Sequence, residues 1–354
     1  MRAPAPRLAA IDLLRGVAIA EMMVAHFVGY FPAPWPKLVS YTETAMALFV
    51  VLAGFMVGWR VVEFKAQPQQ QSQALLARAA KILAVHLVLV STVGMAMFAG
   101  GVAGVAADMP WHTYLAQSLR LQNQIGLLHI LPTFIPLFLI APLVLLAIAR
   151  RYIALLVVAG AAAFLLGHLN PHPFGYGTQA IFPFVLFQAY FVMGCIAGAI
   201  ARDRGLMAPP RAFRWLPVAL AALAATMFAT HLKLVPAGTI QTHPLNLFGL
   251  VYHAPLIASV LLSGLAFEPN LRTWPGYDAL TRFGRHALPA FVLHVVFAVT
   301  LLIANHAYVL PLPVNVAAIL LSIVAMNGLL RRYEAARHDA PPSSIAGSVR
   351  YLLG

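Results

Sequence analysis

The chain has 354 residues, 61% of them hydrophobic and only 9% charged, with a formal net charge of +13. A soluble domain of this size cannot present that composition to water, so the sequence is that of an integral membrane protein. The positive charge lies in the connections between apolar runs, which makes it a topology signal and excludes nucleic acid as the expected partner.

Ten apolar runs, each of about 17 to 25 residues and able to cross a bilayer as a helix, are predicted over 8–31, 44–63, 82–104, 126–149, 152–168, 180–201, 214–231, 246–266, 286–304 and 310–330. With the N-terminus inside, one side collects Arg60, Lys65, Arg78, Lys81, Arg150, Arg151, Arg202, Arg204, Arg272, Arg282, Arg285, Arg331 and Arg332, while the other receives only Lys37, Arg120 and Lys233. That asymmetry is what the positive-inside rule demands of ten spans with both ends cytoplasmic. The expected fold class is all-α, a polytopic integral membrane protein of about ten transmembrane helices. Residues 1–335 form one transmembrane domain and 336–354 a short cytoplasmic tail. The partner common to all of it is the lipid bilayer.

In the first run, Asp12, Arg15 and Glu21 interrupt the apolar pattern, so a cleavable signal peptide is not expected. Arg15 and His26 stand eleven residues apart, about three helical turns and roughly 16 Å along the axis, so their side chains point the same way. Asp12 shares that face and Glu21 does not. Ionisable groups are expensive in lipid, so this face looks into protein or a water-filled cavity. Asp12 and Arg15 can pair at three-residue spacing, and a neutral His26 deeper in the helix can accept a proton as a general base. The same residues also fit a structural ion pair and an interhelical hydrogen bonder.

Further along, AQPQQQSQ at 66–73 reads as a flexible linker. The outward connections 109–124, 168–179 and 231–246 mix aromatics, amides and histidines, a composition that suits a polar substrate such as a sugar and equally a set of interfacial anchors. His86, His129, His168, His253 and His294 also fall in or at the ends of runs. None of them has the spacing of a helical metal site, the single cysteine, Cys195, excludes a disulfide and a cysteine-based zinc site, and no metal is expected. No GxSxG elbow, P-loop or GxGxxG turn is present, which leaves hydrolase, nucleotide-triphosphate and dinucleotide readings without support.

Several segments resemble the membrane-bound acyltransferase 3 family, most closely its osmoregulated periplasmic glucan succinyltransferase branch. Asp12-Leu-Leu-Arg15-Gly16 followed by His26 is similar to that family's arginine and histidine with ten residues between them in the first span. Leu48-Phe-Val-Val-Leu-Ala-Gly54-Phe55, Arg78-Ala-Ala-Lys81-Ile-Leu-Ala-Val-His86, His129-Ile-Leu-Pro132, Tyr190-Phe-Val-Met-Gly194 and Phe283-Gly284-Arg285-His286 resemble further family segments. His294 looks like the Leu-His of the wider family. Ala53 departs from the family's serine before Gly54, and Ala47 from the glutamate of the glucan branch.

The resemblance implies an acyl-CoA-dependent O-acyltransferase of the bacterial inner membrane, with no bound cofactor and with acetyl-CoA or succinyl-CoA as co-substrate. It implies a carbohydrate acceptor outside the membrane, in glucan, O-antigen or exopolysaccharide modification, alongside polysaccharide-synthesis proteins. It assigns catalysis to His26, Arg15 and Asp12, with Arg15 either stabilising the oxyanion or holding the donor. Substrate contacts fall to His294, His129, His86, Arg78, Lys81 and Arg285. Two other classes stay open: a proton-coupled transporter or flippase of a lipid-linked sugar, with Glu21, His26 and His294 relaying protons, and a non-catalytic membrane partner of another enzyme.

Overall fold

A chain surrounded by hydrocarbon must satisfy its backbone hydrogen bonds within each segment, and the α-helix does so residue by residue. The computed structural model describes residues 8–27, 44–100, 110–119, 126–170, 183–205, 215–223, 225 and 247–339, and among these every regular element is helical. In chain order they are α1 (Ala9–Ala25), α2 (Ala45–Trp59), α3 (Val61–Ala66), α4 (Pro68–Ala99), α5 (Trp111–Leu119), α6 (Ile130–Ala149), α7 (Ile153–Leu169), α8 (Phe184–Asp203), α9 (Leu247–Leu271), α10 (Tyr277–Arg285), α11 (Ala287–Tyr308) and α12 (Leu312–Asp339). A 3-10 turn at Gly126–Leu128 leads into α6, and 216–223 is helical.

Six helices among the described residues are long and apolar enough to cross a membrane: Pro68–Met97, Ile130–Ala149, Phe184–Asp203, Gly249–Leu271, Ala287–Tyr308 and Leu312–Ala336. Helices α2 and α7 are shorter apolar helices. The protein is therefore an all-α, multi-pass membrane protein. The predicted runs 8–31, 82–104, 180–201, 214–231 and 246–266 extend beyond the described residues, and parts of connections 109–124 and 168–179, all of 231–246 and the tail after Asp339 lie outside them.

Side-chain contacts give the helix directions. Helices α2 and α8 run parallel in contact so close that a Cβ on Gly54 or Gly58 would overlap the carbonyls of Phe191 or Cys195, and one on Gly194 or Gly198 those of Val51 or Phe55. Two glycines four apart on each helix remove the side chains that would hold the backbones apart. Helices α4 and α6 run antiparallel, with Arg78 over Phe138 at one level and His86 beside His129 at another. Helices α7 and α8 are also antiparallel, joined by Gln188 Nε2 donating to the Gly160 carbonyl at 2.6 Å. At one end of the α11–α12 hairpin, buried Asn305 and Asn315 exchange amide hydrogen bonds of 2.6 and 3.1 Å. At its other end, Glu334 accepts from Arg282, Arg285 and His286.

Three features depart from the sequence expectation. The Gln-rich stretch is not a linker: residues 68–73 form the first turns of α4, because glutamine is a good helix former and Pro68 occupies the first helical position, where its missing N–H costs nothing. Connections 109–124 and 267–285 each carry a short helix, α5 and α10. Helix α12 continues to Asp339, past the end expected for the last span.

Candidate functional site

The site is built on α1, and the way α10 docks on it sets the basic end. A Cβ on Gly284 would overlap the main-chain carbonyl of Asp12, and one on Gly16 that of Leu280, so two glycines let the helices touch at backbone distance. Asp12 is buried under this contact and Arg15, one turn on, is half-buried. Glu21 faces away from them, as the helical wheel requires. Its carboxylate accepts from the Thr44 backbone N–H at 2.6 Å and from the Thr44 hydroxyl at 3.3 Å, capping α2 from a neighbouring helix. An anionic group at an orphaned helix N-terminus is favourable on both hydrogen-bonding and dipole grounds.

His26 is the C-cap of α1, its backbone N–H donating to the Met22 carbonyl at 3.1 Å. Its half-buried ring stacks on that of His294 from α11, with centroids 4.9 Å apart and planes inclined by 19°. His294 is 0% exposed, and the Phe291 ring lies 5.5 Å from it on the same helix. Neither ring nitrogen of His294 has a hydrogen-bond partner among the described residues.

A second histidine pair lies between α4 and α6. His86 is fully buried with both ring nitrogens likewise without a hydrogen-bond partner, and buried His129 is close enough to act on it electrostatically. His129 ends the turn before α6, where its carbonyl accepts from the Thr133 hydroxyl at 3.2 Å.

At the basic end, the guanidinium of Arg78 stands 5.1 Å over the Phe138 ring, a cation–π geometry. Arg15 and Arg60 lie within electrostatic reach of it, and Lys81 follows three residues later on α4. Three like charges from α1, the end of α2 and α4 thus converge, an arrangement that suits a polyanionic ligand. Arg60 was legible in the sequence only as a topology residue, because nothing local says that the end of α2 meets α1 and α4.

Arg285 does not join that group. It donates to Glu334 Oε1 at 3.3 Å, beside Arg282 on Glu334 Oε2 at 2.9 Å and on Asn327 at 2.6 Å, and beside His286 on Oε1 at 2.8 Å. A separate cluster joins Glu268 to Arg272 at 2.9 Å and to the Tyr277 hydroxyl, where burial and the Glu268 bond push that phenol up to about 12. Among the described residues no three His, Cys, Asp or Glu side chains gather closely enough to hold a metal ion.

A family model described as OpgC protein matches residues 7–336. The chain belongs to the OpgC protein family. No curated protein and no solved structure matches it. The OpgC match spans every site residue named above, and it makes the chain a membrane-bound transferase, in line with a glucan-modifying acyltransferase. The resemblance read from the first-span arginine and histidine and from the glycine-containing segments therefore holds at the level of family. The structure adds a physical reason for those segments: Gly54, Gly194 and Gly284 are the points where helices of this OpgC family member meet backbone to backbone.

Proposed function

We propose that the protein moves an acyl group, acetyl or succinyl, from cytoplasmic acyl-CoA to a hydroxyl of an extracytoplasmic carbohydrate, across the bacterial inner membrane. The observation that carries this reading is the division of labour along α1, with Arg15 joined by Arg60 and Arg78 near one end and His26 at the other. Their separation of roughly 16 Å suits a donor whose phosphates and thioester are held apart by an extended pantetheine arm. The cations hold the anionic end, Asp12 orients Arg15, and the thioester reaches toward His26.

There the acceptor oxygen attacks the thioester carbonyl carbon while His26 takes the hydroxyl proton, so that a C–O bond forms as the O–H bond breaks. The tetrahedral intermediate then collapses, the C–S bond breaks, and the leaving thiolate takes the proton back from the imidazolium. General-base assistance of this kind contributes about 100- to 10,000-fold. Lys81 supports Arg78 at the donor end.

The test is acyl-CoA consumption by purified protein with an acceptor glycan, paired with mass spectrometry of surface glycans from cells with and without the protein. The expected result is a mass increment of acetyl or succinyl size that disappears in His26→Ala. Folded protein that consumes no thioester with any of several acyl-CoAs and glycans overturns the reading.

A further inference from the structure

The family resemblance makes His294 a substrate contact, yet its ring is 0% exposed and lies against the ring of half-buried His26. A substrate approaching from the accessible side meets His26 first. Neither nitrogen of His294 has a hydrogen-bond partner of good geometry among the described residues, and the polar group acting on its ring from its own helix is the Phe291 backbone. What it does present is a ring face, nearly parallel to that of His26 at 4.9 Å. Such offset stacking is a favoured arrangement for two flat rings.

We propose that His294 is a positioning residue for His26 that acts through the face of its ring and not through its nitrogens. This rests on the acyltransferase reading with His26 as base. The stack fixes the plane of the His26 imidazole and hence the direction of its accepting nitrogen. It also matters more once the proton has moved, because a neutral aromatic face attracts the imidazolium that His26 becomes. A contact that is stronger in the transition state than in the ground state shows in kcat and leaves KM unchanged.

Three variants separate this from the alternatives, each checked for folding by thermal denaturation in detergent. His294→Phe keeps a ring face without nitrogens and retains kcat within about threefold. His294→Leu keeps apolar packing without a ring and loses kcat about 5- to 30-fold at unchanged KM for both substrates. His294→Gln, polar but without a ring, is at least as impaired as His294→Leu. Equal kcat for the Phe and Leu variants means packing alone and overturns the proposal, as does a Gln variant more active than the Phe variant, which means hydrogen bonding to substrate. If wild-type protein turns over, His26→Ala does not, and the His294 series follows either of those patterns, this inference fails alone. Absence of turnover by the wild type removes the functional reading and the inference with it.

Discussion

Gly58 of α2 lies directly beneath the main-chain carbonyl of Cys195 of α8, in a space that no Cβ can enter. With Gly54, Gly194 and Gly198 this contact makes α2 and α8 a single two-helix unit, and it holds the end of α2, with Arg60, in place beside α1 and α4.

Gly58→Val should therefore be among the most damaging apolar changes in the molecule. Overpacking costs about 1–3 kcal/mol where side chains can yield, and here the obstacle is backbone, so the expected loss lies at or above the top of that range. Gly328→Ala on α12 is the control, since a Cβ there meets nothing within 4 Å, and it should be neutral or slightly stabilising. Thermal denaturation of the purified variants in one detergent measures both.

Glu21 caps α2 through Thr44, so Glu21→Ala should cost about 0.5–2 kcal/mol, the usual range for losing a cap. Glu21→Gln, which keeps one accepting oxygen, should cost less, and both should retain turnover per folded molecule. A well-folded Glu21→Gln protein without activity would instead favour the proton-relay reading, in which this carboxylate moves protons.

Arg78 stands among the like charges of Arg15 and Arg60 and over Phe138, with no carboxylate among the described residues acting on it, which suits holding an anionic ligand. Arg78→Gln should raise the KM for acyl-CoA about tenfold and leave kcat nearly unchanged, the signature of a contact that binds donor and transition state alike. Arg285→Gln should change that KM far less, because Glu334 already engages the Arg285 guanidinium. Steady-state kinetics with varied acyl-CoA at saturating acceptor compare the two.

Glu334 ties Arg282, Arg285 and His286 to the end of α12. Its side chain keeps 22% of its exposure, so Glu334→Gln should cost about 1–3 kcal/mol, less than the 3–5 of a fully buried pair. The loss should appear as earlier proteolysis near the α11–α12 hairpin as well as a lower Tm.

Much of this architecture is local information. The membrane class, the apolar runs and their basic connections follow from composition and spacing, because hydrocarbon admits few polar groups and charge is counted along the chain. Asp12, Arg15 and His26 stood out for the same reason, and Glu21 separated from them by helical periodicity alone. In the Gln-rich stretch, composition points to a linker, and the helix-forming tendency of glutamine behind a first-position proline overrides it. The docking of the short helix α10 is not local information, because it depends on Gly16 and Gly284, one on each partner.

The sequence by itself determined that the chain is an α-helical membrane protein with an arginine and a histidine on one face of its first helix, since periodicity and the cost of burying charge need no knowledge of neighbours. Only the tertiary structure decided that His26 stacks on His294, that Arg60 joins Arg15 and Arg78, and that Arg285 is held by Glu334. Those pairings depend on which faces of distant helices meet, and that is settled by close backbone approach at glycines and by packing, neither of which leaves a periodic mark in a uniformly apolar chain.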